Sequence, residues 1–264
     1  MGAFLCLFIF CALVFPVHTF AADSAWIDTA DAHEGYFTVC YTADAPVKMK
    51  VGVTCGSSTK YYSYTHGEEA SYVFTEGNGN YAITLYRNVR GTSYAVVDSE
   101  TVTVNMNSEF APYLASTAEI TFSKDDAVGK KAAELCNDSK KDSEKVVSIH
   151  NYISQNFVYD YSFADQVSSG AVTNYTPETE SILKNQKGIC YDFSSLFAAM
   201  CRSQNIPCQI QKGYLNGKYH AWNLVYVDGA WQSVDMTVSI SKDTDAASFK
   251  ECLAYTGTGS NYRF

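Results

Sequence analysis

Three residues define the chemistry open to this chain. Cys190 stands in Gly188-Ile189-Cys190-Tyr191-Asp192-Phe193, and His220 in Lys218-Tyr219-His220-Ala221-Trp222-Asn223. Asp235 closes Trp231-Gln232-Ser233-Val234-Asp235. A thiol, an imidazole and a carboxylate are the set needed for acyl transfer through a thioester. The sulfur attacks a carbonyl, the His takes or holds the proton, and the Asp fixes the ring. Gln186 is the nearest side-chain amide to the Cys190 backbone N–H and is an oxyanion candidate. Tyr191 and Trp222 are candidates for the cleft wall or the core, and Asp192 for a local cap. His33, His66 and His150 have no Cys or carboxylate neighbour in pattern and read as surface or structural residues. No Cys/His cluster has metal-ligand spacing, and thiol acyl chemistry requires neither a metal nor an organic cofactor.

The flanking residues say how these groups are held. Gly188 permits a tight turn. Phe193, Leu196, Phe197 and Met200 recur at i, i+3, i+4 and i+7, one face of a helix that starts at or near Cys190. A helix N-terminus favours a thiolate, and its free N–H groups can hold an oxyanion. His220 opens a strand in which Trp222, Leu224 and Tyr226 alternate with Val225 and Val227. Asp228-Gly229 predicts a hairpin turn, and the return strand, Ala230 to Val238, carries Asp235. Centring the turn on 228/229 sets His220 roughly opposite residue 237, with Asp235 a near neighbour across the ladder.

Three stretches together resemble the transglutaminase-like superfamily core of secreted bacterial proteins. They are Lys187 to Arg202 with Asn205-Ile206-Pro207-Cys208, Tyr219-His220-Ala221-Trp222-Asn223, and Val225 to Trp231 with Val234-Asp235. The resemblance covers about residues 140 to 240. It implies an α+β fold: a papain-like transglutaminase core of helices packed on an antiparallel sheet. The nucleophile is then Cys190, the base His220 and the orienting acid Asp235. Where members often carry a Trp or Gly run before the Cys, this chain has Asn185-Gln186-Lys187. The implied activity is thiol-dependent transfer or hydrolysis at peptide bonds or Gln and Asn side chains, with a protein or peptide, cell-wall peptide included, as partner. Two alternatives stand beside it: a papain-like peptidase of another fold, and a non-catalytic extracellular binding or adhesion protein that keeps the cleft.

Residues 2–18 are almost continuously apolar, and no charged side chain precedes Asp23. The run is short for a membrane span and reads as a signal peptide over 1–21, with a retained anchor as the alternative. The expected location is secreted or cell surface. The net charge is −9 and the 19 basic residues form no block, which argues against a nucleic-acid or acidic-membrane partner. Oligomeric state is not legible. Of nine Cys, Cys6 and Cys11 fall in the signal, leaving seven. With Cys190 unpaired as nucleophile, the other six can make three bridges, and sequence does not choose among their pairings; the expectation adopted is Cys40–Cys55, Cys201–Cys208 and Cys136–Cys252. The other reading is that several are buried small apolar residues.

Residues 25–107 read as an all-β domain, a small sandwich like an immunoglobulin or fibronectin module. Its expected strands are Tyr36–Tyr41, Val47–Val53, Lys60–Thr65, Ser71–Phe74, Tyr81–Arg87, Tyr94–Val97 and Thr101–Val104. It is expected to be a spacer or packing module, or to bind a polymer or partner. Residues 108–264 form the second domain, entered by a connector over 108–125. Helices are expected over Asp125–Leu135 and Ser143–Asn156, then a polar loop over 162–177. Thr176-Pro177 should open a short helix leading to the Cys190 turn. Asn137 and Asn174 sit in glycosylation sequons.

Overall fold

The computed structural model describes residues 24–42, 45–137, 141–173, 175–215, 218–241 and 262–263. The expected signal segment, Asn174 and Cys252 lie outside them. The first part is all strand: β1 (Ser24–Asp28), β2 (Tyr36–Thr42), β3 (Lys48–Cys55), β4 (Ser58–Thr65), β5 (Ala70–Val73), β6 (Gly79–Arg90) and β7 (Ser93–Val104). They make two sheets, ordered β1-β2-β5 and β4-β3-β6-β7. Alternation decides which side chains enter the core. Phe37, Val39 and Tyr41 point in from one sheet, and Met49, Val51, Val53, Ile83 and Leu85 from the other. β1 was not expected from its sequence. The two expected strands at 94–97 and 101–104 are one, β7, which stays paired with β6 across a register shift at Leu85/Tyr86.

The expected Cys40–Cys55 bridge is absent. The Tyr41 N–H, next to Cys40, donates to Tyr64 Oη, and Tyr64 pairs with Met49 in β3. Cys55 is six residues further along β3, about 20 Å at strand rise. A disulfide spans at most about 7 Å between Cα atoms. Cys201 and Cys208 do lie side by side, fully buried and hydrogen-bonded through sulfur, but they too are unbridged. Burial, with that neighbouring sulfur, raises the Cys201 thiol well above its ordinary pKa.

The second part begins with a connector pinned at several points. Phe110 and Tyr113 pack on Trp231, Arg202 Nη1 donates to the Ala115 carbonyl, and Lys212 Nζ meets Glu119 at 2.7 Å. There follow α1 (Ala127–Leu135), α2 (Asp142–Asn156), β8 (Val158–Tyr159), α3 (Tyr161–Ser168), α4 (Thr179–Asn185), β9 (Lys187–Gly188) and α5 (Cys190–Ser203). Then come β10 (Cys208–Leu215), β11 (Lys218–Val227), β12 (Ala230–Val234), α6 (Met236–Ser241) and β13 (Tyr262–Arg263). The sheet order is β12-β11-β10-β13. α5 is buried on every side from Asp192 to Ser203, between this sheet and α1, α2, α4 and α6. The architecture is α+β, as expected.

Three local expectations change. Residues 161–168 of the expected loop are helical, because Asp160 Oδ1 accepts the Phe163 N–H and starts a turn. That helix buries no residue, so periodicity had nothing to report. α4 starts at Thr179 rather than at Thr176-Pro177, and the Thr179 hydroxyl is spent on the Thr121 carbonyl. β12 ends at Val234, so Asp235 is not on a strand.

Candidate active site

α5 begins at Cys190 because the preceding residues force it. Ile189 is extended, with φ −112° and ψ −179°. Asp192 Oδ2 reaches back to accept the Ile189 N–H at 2.8 Å, which satisfies a donor at the helix start. Gly188 makes room for that carboxylate: a Cβ there would meet Asp192 Cβ at 2.7 Å. Its role is close approach. Burial raises the Asp192 carboxyl, and the hydrogen bonds from Tyr175 (2.5 Å) and Ile189 act against it.

A second segment is brought to the same place by two short parallel strands. Val158 pairs with Lys187 and Tyr159 with Gly188, and the Asp160 N–H donates to the Gly188 carbonyl at 2.8 Å. Tyr159 therefore lies against the first turn of α5, its ring 6.3 Å from that of Phe193. Its hydroxyl lies beside the Cys190 backbone N–H. Burial and then the neighbouring Cys190 push the phenol up to about 12. Sequence reading missed this residue. The only signal was the aromatic run Phe157 to Tyr161 after α2, which reads as packing.

His220 sits near the start of β11, its ring stacked beside Trp222 at 6.2 Å and 17°. Its Nε2 is 2.8 Å from Asp235 Oδ2, and the Cys190 thiol lies close enough to the ring to act on its pKa. The turn was centred as expected, with Asn223 opposite Val234, but the ladder stops there. Asp235 instead opens α6. Its Oδ1 accepts the Thr237 N–H at 3.0 Å and the Val238 N–H at 3.4 Å, leaving Oδ2 for His220. Asp235 has no exposed surface, and the His220 side chain is 11% exposed. Burial works against the imidazolium, but Asp235 and Cys190 outweigh it and push His220 up to about 10.

The remaining candidates are distributed differently. Gln186 is exposed in a left-handed conformation (φ 52°) and contributes its carbonyl to the Val158 N–H. The place beside the Cys190 N–H that was expected for Gln186 belongs to Tyr159. Tyr191 faces the connector: Lys212 Nζ lies 3.9 Å above its ring, and its hydroxyl bonds Glu119. Burial first and Glu119 second raise that hydroxyl well above its usual range. Trp222 is buried and packs the His220 ring. Among the described residues, no three His, Cys, Asp or Glu side chains converge as a metal site, and no helix is long and apolar enough to cross a membrane.

Comparison with known proteins matches this half of the chain. Residues 129–236 match the family model of the transglutaminase-like superfamily. The mouse (Mus musculus) kyphoscoliosis peptidase is 28% identical over 135 residues, 47% of this chain and 19% of that protein. The protein YebA of Bacillus subtilis (strain 168) is 25% identical over 192 residues, 72% of this chain and 25% of that protein. This chain thus spans a quarter or less of these relatives. Red sea bream transglutaminase is similar in structure with a TM-score of 0.35 at 11% identity, covering 79% of this chain and 48% of that one. The segment that carries Cys190, His220 and Asp235 is the one that matches the transglutaminase-like superfamily model.

Proposed function

We propose that this protein is a cysteine-nucleophile amide transferase or hydrolase acting on peptide bonds or side-chain amides of extracellular or cell-surface polymers. The observation that carries the reading is the His220 ring, bonded to Asp235 at 2.8 Å and held next to the Cys190 sulfur, which helps raise its pKa. With His220 held protonated up to about pH 10, an imidazolium faces the sulfur at neutral pH, and the reacting form in this mechanism is the thiolate–imidazolium pair.

The Cys190 sulfur attacks the amide carbonyl, and the carbonyl oxygen becomes an oxyanion. In this reading the Tyr159 hydroxyl, beside the Cys190 backbone, is the donor to that oxyanion. The imidazolium gives its proton to the departing amine as the C–N bond breaks, leaving a thioester and a neutral imidazole. Water or a second amine then attacks the thioester while His220 takes its proton. The acyl group leaves as acid or new amide, and the thiolate–imidazolium pair is restored. Asp235 keeps the ring oriented throughout, its other oxygen tied to the α6 backbone.

The test is a brief iodoacetamide pulse on the full chain, with mass mapping of the labelled peptides. Cys190 should label faster than Cys40 or Cys55, and His220→Ala should abolish that advantage. Equal labelling of all three, or no effect of His220→Ala, would overturn the reading. Incubation with casein and a fluorescent primary amine then separates transfer, seen as dye incorporation, from hydrolysis, seen as cleavage or ammonia release.

A further inference from the structure

The outer face of the β4-β3-β6-β7 sheet has a composition unlike the rest of the chain. Its outward positions, running from Lys48 in β3 to Thr103 in β7, are Tyr, Thr, Ser, Asn, Gly, Ala and Val with two lysines. None is Asp or Glu, in a chain that has 28 of them and a net charge of −9. Two tyrosines shape its centre. The rings of Tyr61 and Tyr86 lean over Gly52, where a Cβ would meet Tyr86 at 2.9 Å and Tyr61 at 3.2 Å. Their centroids are 6.0 Å apart, and Tyr61 is 56% exposed. Tyr94 continues the row, with Lys50 Nζ 4.9 Å from its ring centre. Tyr61 on β4 and Tyr94 on β7 are three strand spacings apart across the sheet, about 14 Å, and four residues apart along it, about 13 Å. Beside the row, towards the other end of the strands, lies a depression of about 400 Å³ whose lining includes Thr54, Asn80, Thr101 and Thr103.

We propose that this face binds a carboxylate-bearing polysaccharide laid across the strands. Pyranose rings present C–H faces that pack on aromatic rings, and their hydroxyls need a dense field of donors and acceptors. The tyrosines offer the first and the Thr, Ser and Asn side chains the second. Charge selects the polymer: an acidic chain is repelled by most of this protein, but here it meets Lys48 and Lys50 and no carboxylate. A nucleic acid would use aromatics too, but a phosphate per residue asks for more than two cations. Covering Gly52 explains where the two rings lie. It does not explain why the whole surrounding face lacks carboxylates.

The test is native gel electrophoresis of the full chain through gels containing alginate, neutral dextran or neither. Alginate should retard the wild type and the Cys190→Ala variant alike, while dextran does so at least several-fold less. Lys48→Glu/Lys50→Glu puts carboxylates on the face without touching the core, and should restore free migration. Tyr61→Ala/Tyr86→Ala should do the same, with the thermal midpoint checking that it is folded. Unchanged migration of the wild type in alginate would overturn the proposal. So would equal retardation of the lysine variant, or stronger retardation by poly(dT) than by alginate.

Discussion

The two halves of the molecule bury polar groups in opposite ways. The sandwich buries tyrosines, and their hydroxyls go to nearby backbone: Tyr64 to Glu68, Tyr72 to Ser63, Tyr81 to Gly77. These are neutral groups satisfied cheaply, and they tune no reactive atom. The second half buries Asp192, Arg202, His150 and Asp235, charged or titratable groups that cost far more to desolvate. Two of these four, Asp192 and Asp235, lie within one or two bonds of contact of Cys190 or His220. The difference teaches that one half is built for stability and the other accepts expense to hold particular protonation states.

Five measurements break or sharpen that contrast. Cys190→Ala should lower acylation by p-nitrophenyl acetate by about 10⁴-fold with little change in thermal midpoint, because the half-buried sulfur carries chemistry rather than packing. Asp235→Asn should lower the same rate by about 10³-fold and cost about 3 kcal/mol in guanidinium unfolding, since it breaks a buried pair. In that variant the upper limb of the pH–rate profile should fall from about 10 towards 6.5, the ordinary His value. Tyr159→Phe should slow ester acylation by about 10²-fold yet leave iodoacetamide alkylation unchanged, because alkylation forms no oxyanion. Leu85→Ala in the sandwich should cost about 2–5 kcal/mol of stability and leave the folded protein's alkylation rate alone. The last measurement is of pH-dependent stability. The folded pKa of His220 is raised, so its contribution is complete below about pH 6.5 and is lost as pH climbs through about 10. The stability gap between wild type and His220→Gln, followed by denaturant midpoint from pH 6 to pH 10, should narrow accordingly.

Which features were legible follows from what generates them. The α5 start was readable because Phe193, Leu196, Phe197 and Met200 are all buried on a helical face. The hairpin was readable because Asp228-Gly229 is a local turn signal, and it fixed the register of β11 against β12. Tyr159 was not readable. Its position depends on two-residue strands that join segments almost thirty residues apart, and two residues show no period. The end of β12 was hidden for a related reason: Asp235 caps α6, and a cap looks like any polar residue until the helix is seen. The Cys40–Cys55 expectation failed because neighbouring strands in sequence went to different sheets.

Arg202 sets a boundary. Its guanidinium is 2% exposed, with Nε on the Cys208 carbonyl at 2.8 Å and Nη1 on the carbonyl of Ala115. Ala115 lies fourteen residues before the first position of the family match at 129. A polypeptide cut to that match would keep the cation and its Cys208 acceptor but lose the Ala115 one. The family match is therefore shorter than the stretch that holds Arg202, and an excision meant to keep that hold begins upstream of Ala115.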